Sequence, residues 1–171
     1  MWGDRVLEEI RAAREAHAAR FGFDEYAQPA GGCCFLTDAQ YSGKLADLWK
    51  SRGQRDYSLD DIMLLKVGRH LRPATHFKLI VGREDGENNF LEGYRKQFVH
   101  LRIASHAGPL TLIDGAPTAV DIELAARIAA RYSQGRDADI VTVTAHHPNG
   151  VVEQLFVSPI PVHQIQPFWH V

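Results

Sequence analysis

Cysteine is nearly absent from this chain: there are two in 171 residues, and they are adjacent, Cys33 and Cys34. Neighbouring cysteines cannot close a loop that restricts an unfolded chain, so a disulfide scaffold is excluded and a reduced compartment is expected. Long apolar runs are missing too. No window approaches the roughly 20 residues needed to cross a bilayer, and the first residues, Met1 to Arg20, are charged and helical in pattern rather than shaped like a secretion signal. A cytoplasmic protein without membrane association is the expectation. Phosphate-cradling loops are also lacking. Nothing fits G-x-x-x-x-G-K-[ST] or G-x-G-x-x-G, since Gly43-Lys44 has no upstream glycine and Ala30-Gly-Gly-Cys-Cys34 leads to cysteine rather than to a hydroxyl. ATP-driven chemistry by this chain alone is therefore not expected. One Cys-Cys pair offers at most half a metal site, even with His70 or His106 to complete it, and His146-His147 beside a turn reads as a solvated pair. Neither a metal nor a cofactor is assigned to the chain.

Excess positive charge is missing as well: the net charge is −2, which argues against a nucleic-acid partner because neutralising phosphates takes clustered Lys and Arg. The average conceals a segregation. Between Lys44 and Arg102 stand 12 Lys/Arg against 8 Asp/Glu, net +4, so the flanks together carry −6. His70, His76 and His100 fall in the same stretch. Ordinary scatter of solvated charge explains this as well as a binding surface does.

What is present is enough apolar content, 45%, for one core with a small appendage. Asp4 can cap a helix to about Arg20, with Gly22 beyond its end. Pro29 and the paired glycines before Cys33 forbid helix and favour a tight loop. Thr37-Asp-Ala-Gln40 and Ser58-Leu-Asp-Asp61 are capping patterns that open helices to about Ser51 and Leu65, the first carrying Lys44, Lys50 and Arg52 on one side. Gly68-Arg-His-Leu-Arg72 reads as a basic turn. His76 to Gly82 has strand character and Glu87 to Gln97 helical character. The next strand would place Val99, Leu101 and Ile103 on the core and Phe98, His100 and Arg102 on the opposite face. A short strand at Thr111–Ile113, a helix from Thr118 to Tyr132 and a hairpin around Pro148-Asn-Gly150 complete the pattern, with a Pro-broken tail from Ser158. The class is α+β: a small mixed sheet packed by several helices, with an N-terminal helix before a Gly-rich loop. Trp49, Phe90 and Tyr94 read as core aromatics rather than stacking platforms.

Several phrases then coincide. Gly82-Arg-Glu-Asp-Gly-Glu-Asn88 resembles the G-R-x-x-x-E-N phrase of NFACT-R-type RNA-binding domains, and Gly68-Arg-His70 and Gly108-Pro-Leu-Thr-Leu112 are similar to neighbouring phrases of one branch of them. That branch stands at the carboxy-terminal end of proteins similar to tRNA thiouridine synthetases of the PP-loop class. There the join resembles Pro29-Ala-Gly-Gly-Cys33 followed by Leu36-Thr-Asp38. The resemblance spans residues 14 to 145 and implies two parts: residues 1–37, the tail of a synthetase-like region, and residues 38–171, an RNA-binding domain. It implies RNA as partner, tRNA in particular, with Arg83, Glu87 and Asn88 as signature residues and Arg69 and His70 as companions. ATP and Mg²⁺ would belong to a partner half, because the S-G-G-x-D-S loop of a PP-loop ATPase is missing here.

Arginines on turns after Gly68 and Gly82 can approach phosphates, and Phe98 beside His100 and Arg102 could stack on an unpaired base. Glu87 and Asn88 could equally serve the turn by orienting Arg83. Three functions stay open at this point. One is an RNA-binding module. Another is a sulfurtransferase subunit in which Cys33 or Cys34, in a glycine loop before a helix start, carries sulfur, against the plainer reading of small buried residues in a tight turn. The third is an interaction domain that docks a PP-loop ATPase or thiouridylase.

Overall fold

The computed structural model describes residues 38–171, together with Arg5, Glu8, Glu9, Arg11 and Ala12, which are helical. The other residues of the expected N-terminal helix, the expected glycine loop, and Cys33 and Cys34 lie outside the described residues. The chain divides into two compact units, Met1–Lys66 and Val67–Val171.

In the first unit, helix α1 (Ala39–Arg52) is capped by Asp38, whose carboxylate accepts the Tyr41 amide at 2.9 Å, and ends at Gly53. Its buried stripe of Tyr41, Leu45 and Leu48 packs on Leu65, with Trp49 and Ile62 alongside. Trp49 is thus a packing residue, as its helical spacing suggested. Helix α2 (Leu59–Leu64) starts with the capping box of Ser58 and Asp61. Asp61 also takes Arg52 through bonds of 2.6 and 2.9 Å, and the Lys44 ammonium donates to the Leu65 carbonyl at 3.1 Å. Two cations that α1 carries on its basic side are thereby engaged within the unit.

The second unit contains β1 (Arg69–Ala74), β2 (Phe77–Val81), α3 (Asp85–Glu92), β3 (Val99–Ile103), β4 (Thr111–Gly115), α4 (Ala119–Arg131), β5 (Val141–His146) and β6 (Val152–Val157). Two 3-10 turns, Val162–Gln164 and Pro167–Trp169, come after β6. The six strands form one sheet in the order β1-β2-β4-β3-β5-β6, antiparallel at every pairing. The α+β class stands. No helix among the described residues is long and apolar enough to cross a membrane.

Pleating gives each strand two faces. On one, Leu79, Val81, Leu101, Ile113 and Val143 meet the alanines 125, 126, 129 and 130 and Ile128 of α4, all essentially buried. Small side chains let that helix lie close to the sheet, and each buried leucine-sized group contributes about 2 kcal/mol. The capping box of Thr118 and Asp121 sets where α4 begins. The register carries one row across the other face: His70, Ile80, Leu112, His100, His146 and Val152. Strand β3 has the facing expected of it, with Leu101 in the core and Arg102 exposed on the other side.

Two expectations are corrected. Residues 69–72 form a strand rather than a basic turn, because pairing with β2 supplies the ladder that local sequence could not announce. Only Gly68, at φ +74°, turns. A β-carbon there would also lie 2.9 Å from the Val81 carbonyl oxygen. The helix expected to reach Gln97 stops at Glu92, and residues 93–97 continue as turns. Lys78, in a strand whose five residues are all buried, pairs with Asp114 across β2 and β4 at 3.7 Å.

Candidate nucleic-acid interface

The phrase Gly82 to Asn88 is a wired turn. The Glu87 carboxylate is the hub: it accepts the Arg83 amide at 2.8 Å, the Arg83 guanidinium at 2.5 to 3.1 Å, and the Gly68 amide. The guanidinium beside it, together with these backbone donors, holds the Glu87 carboxyl down at about 2 despite its burial. Asn88 accepts the Leu110 amide at 3.0 Å, while the Gly82 amide donates to the Leu110 carbonyl at 3.1 Å, so the turn is tied to the strand entry at Leu110. A β-carbon on Gly82 would stand 2.1 Å from the Asn88 Oδ1, so glycine there is a matter of space. Glu87 and Asn88 are therefore occupied in holding Arg83 and the turn. Their side-chain oxygens are committed to protein donors, and the exposed member of the signature is Arg83.

Arg83 lines a depression of about 340 Å³ that also receives Arg69 and Arg136, with Glu84 and Asp85 on its rim. The Arg69 guanidinium lies over the Tyr132 ring, 5.0 Å from its centroid, which fixes an otherwise exposed side chain. The opposite wall is the Ala107-Gly-Pro109 loop. That loop is held to the end of α4, where the Gln134 amide donates to the Ala107 carbonyl at 2.8 Å and buried Ser133 bonds Ala130 and Gly135.

A second depression, about 390 Å³, shares Asn88, Gly108 and Pro109 with the first and adds Glu92 and Arg102. A third, about 420 Å³, shares Arg102 with the second and is lined by Arg95, Lys96, His100, His146 and His147, with no carboxylate in its wall. The three adjoin into one path. Glu92 pairs with Arg95 at 2.5 Å and with Arg102, which orients both cations along it. His100 and His146 stack, with centroids 4.8 Å apart and planes within 6°. Burial pushes the His100 imidazole below its ordinary value, and neighbouring His146 and Arg102 push the same way.

The residues picked from sequence thus separate. Arg69 and Arg83 share one depression, Arg102 borders the next two, and His100 lines the third. His70 is buried, its Nε2 at 3.0 Å from the Val67 carbonyl oxygen, in the position of a core side chain. Phe98 is partly buried and lines none of the three depressions. Arg136, Tyr132 and the 107–109 loop were missed. The phrase Gly108-Pro-Leu-Thr-Leu112 was the available signal for the loop, whereas nothing local marked Arg136.

An α+β module of this kind presents cations in fixed positions along a path rather than enclosing a small ligand. Residues 68–169 match the model of the NFACT protein RNA binding domain, and the chain belongs to that family. A comparison with curated proteins returned no match. Among solved structures, the C-terminal part of the fibronectin/fibrinogen-binding protein from Streptococcus suis is similar at 17% identity and a TM-score of 0.48, over 95% of this chain and 76% of that one.

Proposed function

We propose that this chain binds folded RNA of the tRNA kind through the path from Arg69 and Arg83 to Arg95 and Lys96. The observation that carries the reading is the Arg83–Glu87 arrangement: an exposed guanidinium, held before any ligand arrives, opens onto a depression with two further arginines. A cation already in place loses little side-chain entropy on meeting phosphate. Backbone contacts of this kind position an RNA without reading its sequence.

Anisotropy titration with a labelled tRNA at several salt concentrations tests it. Replacing Arg69, Arg83 or Arg102 by Ala should each weaken binding by about 1 kcal/mol or more and make the salt dependence shallower by about one charge. Arg127→Ala should change neither, since Arg127 projects from α4 to the Ser158 carbonyl. Equal losses at all four positions, or no binding by wild type at low salt, would remove the path as an RNA site.

A role in tRNA thiolation, with ATP and Mg²⁺ handled by a PP-loop partner, is the narrower form of this proposal. It is supported by the Pro29-Ala-Gly-Gly-Cys33 and Leu36-Thr-Asp38 phrases alone. It requires that Cys33 or Cys34 be alkylated in the native chain, and labelling confined to the denatured chain would rule out sulfur transfer.

A further inference from the structure

Strands β3, β5 and β6 leave part of the sheet open on the face away from α4. The register places three rows there: His100, His146 and Val152, then Arg102, Thr144 and Gln154, then Thr142 and Phe156. Phe156 is 68% exposed and Val152 58% exposed. From Val152 to Phe156 the strand runs about 13 Å. The third depression opens at the Val152 end of this face, so the cationic path leads directly onto it.

Two observations mark this face as a binding surface. A large aromatic stands exposed beside the polar Thr142 and Gln154. In addition, His100, buried and stacked on His146, stands in the wall of a depression that Arg95, Lys96 and Arg102 also line. Positive charge along one border and an exposed ring beyond it complement phosphates and bases respectively. An A-form duplex hides its base faces within the stack, whereas an unpaired segment offers both groups together.

We propose that an unpaired segment of the bound RNA leaves the arginine path at Arg102 and crosses the open β3–β5–β6 face, with a base stacked on Phe156. This rests on the RNA-binding reading above and narrows the ligand to RNA with a single-stranded stretch beside a folded part. The segment's phosphates lie along Arg95, Lys96 and Arg102, and the stacked histidines form the floor at the entry.

The full chain, wild type, Phe156→Ala and Arg83→Ala, is titrated against an RNA hairpin that is either blunt or carries a short single-stranded 3′ extension. Wild type should prefer the extended hairpin. Phe156→Ala should abolish that preference, an effect of about tenfold from loss of one stacking platform, and leave blunt-hairpin binding unchanged. Arg83→Ala should weaken both RNAs. With 5-iodouridine in the extension, crosslinks should map to Phe156 or His146. If Phe156→Ala binds both RNAs like wild type while Arg83→Ala weakens them, the sheet-face proposal is overturned and the arginine path survives. If Phe156→Ala leaves RNA binding intact but dissolves a dimer seen in sedimentation, the face is a self-association surface and the proposal fails in favour of a second copy. Absence of RNA binding by folded wild type overturns both readings together.

Discussion

The two ends of the cationic path hold their charges by different means. At the Gly82 end, one buried carboxylate, Glu87, grips Arg83 and two backbone amides, so guanidinium, turn and neighbouring strand form a single rigid piece. At the histidine end, Arg95 and Arg102 share the partly exposed Glu92, and the His100 and His146 imidazoles stack on one another beside them. A buried hub makes recognition inseparable from folding, whereas an exposed carboxylate can release its cations to a phosphate at little cost. On the proposed reading, the first end would fix where an RNA backbone docks and the second would adapt to the course the RNA takes beyond it.

The contrast can be broken most forcefully at Gly82. A methyl group there meets the Asn88 oxygen, which is itself bonded to Leu110, so Gly82→Ala should cost about 2 to 3 kcal/mol in urea unfolding. Glu87→Gln should cost about 2 kcal/mol, less than the full depression of its carboxyl implies because Arg83 is half exposed. Arg95→Gln at the other end should change stability by less than about 0.5 kcal/mol.

Acid sharpens the same comparison. A carboxyl held below its ordinary 4.5 contributes stability that is complete above that value and disappears as pH falls through about 2. Asp121, bonded to His76 and Thr118 and also held at about 2, titrates in the same window. Wild type should lose stability between about pH 5 and pH 2, and Glu87→Gln should show a shallower loss without abolishing it. Chemical unfolding at a series of pH values reads this out.

The smallest expected effect lies at the histidine end. His100 is neutral at pH 7 because burial disfavours its charged form, with His146 and Arg102 acting likewise and Glu92 opposing. Protonation at mildly acid pH adds a cation to the depression at some cost in stability, since the unfolded imidazole takes up the proton more readily. RNA affinity should rise about two- to threefold as pH falls through the range, below that of an ordinary histidine, in which this imidazole takes up its proton. His100→Gln should lose part of that rise, and the Arg83 end should show none of it.

These differences explain what could be read from the residues and what could not. The facing of β3, the capping boxes at Ser58 and Thr118 and the β5–β6 hairpin are local patterns, and each was legible in the sequence. The strand at Arg69–Ala74 was not, because its hydrogen bonds come from β2 and its apolar content is interrupted by His70, Arg72 and Pro73. The signature phrase marked a turn, yet the division of labour within it depends on the Leu110 and Gly68 amides, which are distant in sequence from Asn88 and Glu87. Phe98 was a reasonable aromatic to single out beside His100. Phe98 is partly buried, whereas Phe156, two strands away, is exposed, and only the register of β3, β5 and β6 brings its face next to Arg102.

Residues 170 and 171 bear on how this sheet can meet other strands. His170 bridges to Leu71 on the outer side of β1, and the Val171 amide donates to the His70 carbonyl at 3.1 Å. Part of the β1 margin is thereby covered by residues 170 and 171, whereas β6 is the other edge strand of the sheet. A copy paired through β6 would find its other margin, β1, already partly occupied at His70 and Leu71, which works against continued edge-to-edge growth.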